Sequence, residues 1–106
     1  MVKKRIAVVS TDEIHVNEHF GRAREFFIYD LDGGMTFLEK RPAETLSIGD
    51  PNHAFDPKKF GRISELLQDC SQVYVTQIGD TPAKKLREMG IEPIIFKGPI
   101  SDIGEG

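Results

Sequence analysis

Two short apolar runs frame the first third of the chain. Residues 6–9 (Ile-Ala-Val-Val) and 26–29 (Phe-Phe-Ile-Tyr) are uninterrupted, and both are rich in β-branched or aromatic side chains. Runs of this length and composition are typical of strands that are buried on both faces. The pattern therefore predicts a first strand at residues 6–9 and a second strand at residues 25–31.

A meander and a long loop come next. Asp32, Gly33 and Gly34 form a hairpin signal between the second strand and an alternating third strand at residues 35–41. The third strand ends in charged residues, which is typical of a strand at the edge of a sheet. No periodicity continues from residue 42 to 55, so the sequence predicts a long loop there.

The second half of the chain predicts two helix–strand units. Asp56 and Pro57 favour a helix start, and a stripe of apolar residues at helical spacing follows it: Phe60, Ile63, Leu66, Leu67 and Cys70. A fourth strand is predicted at residues 72–78, and a second helix begins at 79–82 and ends at Gly90. The fifth strand, residues 92–97, contains Pro93, which favours a sheet edge. The tail at residues 98–106 is predicted to be frayed.

These elements predict a mixed α/β sheet of five strands. Right-handed crossovers join strand three to four and four to five, and the edge-like strands take the outer positions, which favours the order 3-2-1-4-5. In that order the loops at residues 10–24, 41–56 and 77–82 leave from one end of the sheet. The crevice there between strands one and four is the switch point where open α/β sheets bind ligands.

Composition narrows the classes of function. The chain has 106 residues, of which 39% are hydrophobic and 29% charged, and this predicts one globular domain over residues 1–106. The net charge of −3 gives no global attraction for nucleic acid. A single cysteine excludes an internal disulfide and a self-contained iron–sulfur site, and it fits a reducing cytoplasm. No apolar run approaches membrane-spanning length.

Candidate chemistry is concentrated in the loop between the first two strands. His19 offers an imidazole, Gly21 permits a tight turn or close approach to a ligand, and Arg22 and Arg24 offer forks for an anion. The start of the second helix adds further amide groups that bind anions, at Gly79, Asp80 and Thr81. The sequence thus favours a site for a negatively charged or metallic ligand.

Each of these groups also has a purely structural interpretation. His19 could hydrogen-bond within its own loop, Phe20 could fill the core, and the two arginines could pair with Glu18, Glu25 or Asp12 on the surface. We interpret His15 and His53 as solvated loop residues. Cys70 lies on the apolar stripe, at the opposite end of the sheet from His19, so we interpret it as a small buried hydrophobe.

A family resemblance adds to this reading. Residues 19–23 (His-Phe-Gly-Arg-Ala), followed by an aromatic-rich strand, resemble the signature of the nitrogenase iron-molybdenum cofactor biosynthesis accessory family, which includes the NifX-like proteins and the C-terminal part of NifB. Residues 69–75, 78–86 and 89–91 resemble the second half of that family in the same order and spacing. The resemblance therefore spans nearly the whole chain.

The resemblance implies a ribonuclease H-like fold and a non-catalytic carrier of an anionic metal–sulfur cluster. The implied cargo is the iron-molybdenum cofactor, its iron–sulfur precursor or a related molybdenum–sulfur species, and the implied partners are cofactor-assembly or acceptor proteins. A preassembled cluster needs only one or two side-chain ligands plus N–H and arginine donors. The expected contacts are His19, Phe20, Gly21, Arg22, Arg24, Gly79, Asp80 and Thr81, with His19 as the metal ligand ahead of His15, His53 and Cys70.

Two competing interpretations belong to other classes of protein. Ribonuclease H-like folds also host metal-dependent nucleases that gather several carboxylates, and Asp12, Asp30 and Asp80 are available for this. Against a nuclease, Asp30 is predicted at the wrong end of its strand and the chain lacks a positive field. The other interpretation is a regulatory or interaction module that binds a small anion or a partner protein in the same crevice.

Overall fold

The computed structural model describes residues 4–31, 34–42 and 57–105. The predicted turn at Asp32 and Gly33, the loop at 43–56 with His53, and the helix cap at Asp56 lie outside these ranges. The described elements in chain order are β1 (Lys4–Val9), β2 (His15–Val16), a 3₁₀ turn (Phe20–Arg22), β3 (Glu25–Leu31), β4 (Met35–Pro42), α1 (Pro57–Leu67), β5 (Gln72–Val75), α2 (Asp80–Glu88), β6 (Glu92–Ile95), β7 (Gly98–Pro99) and a second 3₁₀ helix (Ile100–Glu105).

Five strands form one mixed sheet in the order β4-β3-β1-β5-β6. β3 is antiparallel to both β1 and β4, whereas β5 is parallel to both β1 and β6. Counted in chain order without the two-residue strands, this is the predicted order 3-2-1-4-5. β1 is central, and Ile6 and Val8 pack on one face of the sheet while Ala7 and Val9 pack on the other.

Both α-helices cover the same face of the sheet. The apolar stripe of α1 places Phe60, Ile63 and Leu67 against Val9 and its neighbours, and each of these side chains is at most 5% exposed. Full burial of such side chains contributes roughly 1.5–3 kcal/mol each to folding. Neither helix is long and apolar enough to cross a membrane, as far as the described residues extend.

The end of α2 explains where the chain turns into β6. Gly90 has φ of +84°, its N–H donates to the carbonyl of Arg87 (3.0 Å), and the N–H of Ile91 donates to Leu86 (2.9 Å). This pair of bonds is a Schellman motif, which favours glycine because left-handed backbone is costly for residues that carry a Cβ. The predicted helix end at Gly90 is confirmed.

The fourth predicted strand is shorter than the sequence indicates. β5 ends at Val75, not at residue 78, because the backbone then pairs with the loop before β3 and no longer follows its sheet neighbours. The N–H of Thr76 donates to the carbonyl of Glu18 (3.1 Å), and Gln77 forms a parallel bridge with His19. The fifth strand also stops early, at Ile95.

The prediction of a frayed tail is wrong for residues 98–105. Gly98 and Pro99 pair with Val16 and His15 in a second, two-stranded sheet. The 3₁₀ helix that follows buries Ile100 (4% exposed) on the face of the large sheet that the α-helices leave uncovered. Apolar burial and backbone pairing hold this segment in place.

A cluster of charges closes the end of the sheet opposite the loop that contains His19. Arg5 donates from Nε to Asp30 (2.9 Å) and from Nη1 to Asp69 (3.0 Å). Arg41 also binds Asp69 (2.7 Å) and donates to the carbonyl of Leu66 (2.6 Å) at the end of α1. The cluster thus links β1, β3, β4 and the end of α1.

Candidate functional site

The loop between β2 and β3 is tied to the chain that enters α2. The N–H of Phe20 donates to the carbonyl of Gln77 (2.9 Å), and the N–H of Thr76 donates to Glu18 (3.1 Å). With the parallel bridge between His19 and Gln77, these bonds hold the two segments side by side. Gln77 precedes Asp80, the first residue of α2, by only three residues, so the two halves of the predicted site are adjacent.

Phe20 anchors this loop in the core. Its ring is 1% exposed and lies 6.0 Å from the ring of Phe26 and 6.4 Å from that of Phe60, measured between centroids. Tilted aromatic pairs at this separation are favourable. Phe20 and the buried Gly21 therefore position the loop, and a ligand in the crevice would meet the more exposed residues on either side of them.

His19 caps the 3₁₀ turn with its own side chain. The N–H of Gly21 donates to the Nδ1 atom of His19 at 2.7 Å, so Nδ1 is an acceptor and the neutral ring carries its proton on Nε2. Partial burial of the ring lowers the pKa of His19 below its ordinary value, and the positive charge of Arg22 lowers it further, against an opposing effect of Glu18. The imidazole is thus held neutral.

The side chains of Arg22 and Arg24 are exposed and, within the described residues, have no hydrogen-bond or ion-pair partner. The three acidic residues that the structural interpretation assigned to them bind other groups. Glu18 accepts from the backbone N–H of the next residue, Glu25 lies near a lysine of β4, and Asp12 binds groups of its own loop. Two guanidinium groups therefore remain available to an anion beside His19.

The start of α2 provides amide donors at the same place. Gly79 is the N-cap, and no side chain caps the helix there. The first intrahelical bond runs from the N–H of Ala83 to the carbonyl of Gly79 (3.1 Å), and Pro82 has no N–H. The N–H groups of Asp80 and Thr81 therefore lack a partner within the helix, as expected for a first turn.

Asp12 and His15 form a pair whose arrangement the sequence analysis missed. Asp12 accepts from the backbone N–H groups of Ile14 and His15 and from the Ser10 hydroxyl, and its Oδ2 lies 3.0 Å from Nδ1 of His15. The backbone bonds to His15 and its ring hold the pKa of Asp12 well below the usual range. The signal in the sequence is an aspartate three residues before a histidine in a short polar loop, with Ser10 before both.

Cys70 and Asp30 lie away from this site. Burial raises the pKa of the Cys70 thiol to about 12, so it is not a thiolate at neutral pH, and it packs beneath α1 as predicted. Asp30 belongs to the charge cluster at the opposite end of the sheet. In the part of the chain that the structure describes, no three His, Cys, Asp or Glu side chains form a group suited to a metal ion.

Comparison with known proteins gives the family. The profile of the family described as "Dinitrogenase iron-molybdenum cofactor" matches residues 2–105, which is almost the whole sequence. The chain belongs to the dinitrogenase iron-molybdenum cofactor family. This confirms the resemblance that residues 19–23 and the later segments indicated.

Similar curated proteins are longer than this chain. The FeMo cofactor biosynthesis protein NifB of Frankia alni is 37% identical over 90 residues, which cover 84% of this chain and 18% of that protein. The protein NifX of Azotobacter vinelandii is 28% identical over 90 residues, which cover 85% of this chain and 54% of NifX. The chain thus corresponds to about a fifth of NifB and about half of NifX.

Solved structures support the fold. An NMR structure of a Thermotoga protein, provisionally assigned as NifB, superposes with a TM-score of 0.64 at 23% identity and covers 97% of this chain and 89% of its own. A Methanocaldococcus jannaschii protein, provisionally assigned as a dinitrogenase, gives a TM-score of 0.54 at 13% identity, covering 92% and 81%. At these identities the likeness concerns the mixed α/β fold alone.

Proposed function

We propose that this chain is a non-catalytic binding or carrier module for the iron-molybdenum cofactor, its iron–sulfur precursor or a related molybdenum–sulfur cluster. The cargo lies in the crevice between the loop at residues 17–24 and the start of α2, where His19, Arg22 and Arg24 face it from the loop. Gly79, Asp80 and Thr81 face it from the helix. Phe20 and Gly21 set the position of the loop from beneath.

One observation carries this proposal: two arginine side chains that have no partner among the described residues lie beside a helix start that no side chain caps. Metal–sulfur clusters of this kind are anionic, and arginine forks and free amide groups are donors that bind anions without enclosing them. The overall charge of −3 makes a local site necessary. A shallow site also suits a carrier, which must release its cargo to an assembly or acceptor protein.

The fold assignment and the absence of catalysis belong to the same proposal. We assign the sheet to the ribonuclease H-like class, because β3 alone is antiparallel to its neighbours β1 and β4, whereas β5 and β6 are parallel to β1. The carboxylates that a nuclease of this class would need are separated: Asp30 binds Arg5, and Asp12 is held within its own loop. A binding role therefore fits better than hydrolysis.

Binding of isolated iron-molybdenum cofactor tests the proposal. Mixed with the protein without oxygen and then passed through a desalting column, the cofactor should elute with the protein and show visible absorbance. Arg22→Ala should weaken binding by roughly 1.5–3 kcal/mol, as expected when a hydrogen bond to a charged group is lost.

Arg87→Ala is the matched control. Arg87 lies in the last turn of α2, at the opposite end of the helix, where it approaches Glu92 at 3.6 Å. Its removal changes the net charge as much as Arg22→Ala does but leaves the crevice intact, so binding should stay close to that of the wild type. If both variants lose affinity for the cofactor equally, the binding depends on overall charge and not on this site. If the wild-type protein elutes without cofactor, the carrier function is refuted. Regulation through a partner protein would then be the better hypothesis.

A further inference from the structure

We propose that His15, held in place by Asp12, is the imidazole through which this chain bonds a metal of its cargo, and that His19 contacts the cargo only as an N–H donor. This inference rests on the proposed carrier function and names the ligand within it. It reverses the ranking that the sequence favours. The argument depends on which ring nitrogen of each histidine is already engaged.

The hydrogen bond from Gly21 prevents the neutral ring of His19 from offering a lone pair to a metal. A backbone N–H can only donate, so the bond from Gly21 to Nδ1 of His19 at 2.7 Å requires a lone pair on Nδ1 and, in the neutral ring, a proton on Nε2. Nε2 could bond a metal only if the ring lost that proton or gave up its cap on the 3₁₀ turn. His19 in this arrangement offers an Nε2–H group, which suits a sulfide of a cluster.

The partner of His15 has the opposite effect. The carboxylate of Asp12 accepts from the backbone N–H groups of Ile14 and His15, and because a carboxylate can only accept, its contact of 3.0 Å with Nδ1 of His15 requires a proton on Nδ1. The neutral ring then presents a lone pair on Nε2. A carboxylate that fixes the tautomer and orientation of an imidazole is the usual second partner of a metal-bound histidine.

The surroundings of this pair hold it rigidly and leave the ring open. Asp12 is fixed by the N–H groups of Ile14 and His15 and by the Ser10 hydroxyl, which itself accepts from the backbone of the loop. The N–H of Ile100 donates to the carbonyl of Ile14 at 2.8 Å. The side chain of His15 nevertheless remains 48% exposed.

His15 also lies within reach of the proposed crevice. β2 follows the carboxyl end of β1, and its partner β7 follows the carboxyl end of β6, so His15 is at the same end of the sheet as His19. Four residues of extended chain separate the two Cα atoms by at most about 14 Å. One cargo can therefore contact both rings.

The tautomers can be measured without any cargo. In a ¹⁵N–¹H spectrum of the ring nitrogens of the full chain at pH 8, His15 should carry its proton on Nδ1 and His19 on Nε2. Asp12→Asn should shift the ring signals of His15 toward the Nε2–H form while those of His19 stay unchanged. A purely structural role of Asp12 would not change a tautomer. An Nε2–H tautomer for His15 in the wild type would overturn the inference.

Binding of isolated iron-molybdenum cofactor to two matched variants tests the ligand itself. In His15→Asn the amide nitrogen takes the place of Nδ1 and still donates to Asp12, and the outer part of the ring with Nε2 is lost. In His19→Asn the amide oxygen still accepts from Gly21, so the cap is kept. We expect cofactor affinity to fall at least tenfold in His15→Asn and less than threefold in His19→Asn.

The outcomes separate the ligand from the function. If the wild type and both variants bind equally well, or if His19→Asn shows the larger loss, the carrier function stands and the assignment of His15 is wrong. If the wild type binds no cofactor, the carrier function itself fails. X-ray absorption of the loaded wild type and of His15→Asn provides the direct readout, because the imidazole scattering at the metal should disappear in the variant.

Discussion

Burial, the charge of Arg22 and a backbone N–H donor all disfavour the cationic form of His19. His19 receives a hydrogen bond from the N–H of Gly21, and the cationic ring would have to place its own proton against that donor. Burial and the nearby charge of Arg22 act in the same direction, so the pKa of His19 lies below its ordinary value of 6.5. A single backbone amide thus helps to keep a half-buried imidazole neutral.

This has a measurable consequence for stability. The unfolded chain binds a proton at His19 near pH 6.5, whereas the folded chain resists protonation until the pH is lower, so folding loses stability as the pH falls below about 6.5. His19→Asn keeps the cap but cannot titrate. Between pH 7 and pH 5 the denaturation midpoint of the wild type should therefore fall more than that of His19→Asn. An equal fall in both proteins would contradict the lowered pKa.

Sequence reasoning predicted that the loop with His19 lies beside the start of α2, but it did not predict the hydrogen bonds of the residues there. The position of His19 beside the start of α2 follows from strand order, because loops at the carboxyl ends of parallel strands converge. The direction of a hydrogen bond to an imidazole depends on backbone placement within a few tenths of an ångström, which no spacing of residues encodes. For the same reason, the hydrogen bond between Asp12 and the ring of His15 was not predicted from the sequence.

At the scale of elements, strong apolar patterns were predicted well and short pairings were not. The apolar runs of β1 and β3 and the stripe of α1 carry a periodic signal over many residues. β2 and β7 are two residues long, so they have no periodicity, and they form only because each meets the other. The 3₁₀ helix after β7 contains isolated isoleucines among Ser, Asp and Gly, which resembles a frayed end in the sequence.

Ile100 tests whether this segment is part of the fold. Its side chain is 4% exposed and belongs to the same apolar cluster as Val16, so Ile100→Ala should lower the free energy of unfolding by about 2 kcal/mol or more. Ile95 on the edge strand β6 is 62% exposed, and Ile95→Ala should change the free energy of unfolding by less than about 0.5 kcal/mol. Urea denaturation of both variants measures the difference. Equal effects would show that the tail is frayed after all.

On the scale of the whole molecule, the two ends of the sheet use arginine in opposite ways. At the end with the proposed crevice, Arg22 and Arg24 have no partner among the described residues. At the other end, Arg5 binds Asp30 and Asp69, and the side chain of Arg41 reaches Asp69 from β4, so that β1, β3 and β4 are tied to the end of α1. One end is closed by internal ion pairs, and we propose that the other keeps its positive charges for an external anion.

The closed end should control the stability of the protein in acid. The hydrogen bond from Arg41 is the main reason that the pKa of Asp69 lies well below its ordinary value of 3.8, and Arg5 adds to the effect. Because the folded state resists protonation of Asp69, its contribution is present above pH 3.8 and is lost as the pH falls below that value. Asp69→Asn should therefore be less stable than the wild type at pH 6, and the difference should narrow toward pH 2.

Asp102→Asn is the control, because Asp102 is an exposed carboxylate outside this cluster. In the same thermal melts its stability should follow that of the wild type at every pH.

The two ends of the sheet should also be independent in function, since the cluster lies across the length of β1 from the crevice. Asp69→Asn at pH 7 should bind iron-molybdenum cofactor as the wild type does, provided that it is folded. A stability difference that stays constant from pH 6 to pH 2 would mean that the arginines do not lower the pKa of Asp69. Weakened cofactor binding in a folded Asp69→Asn variant would mean that the two ends of the sheet are coupled.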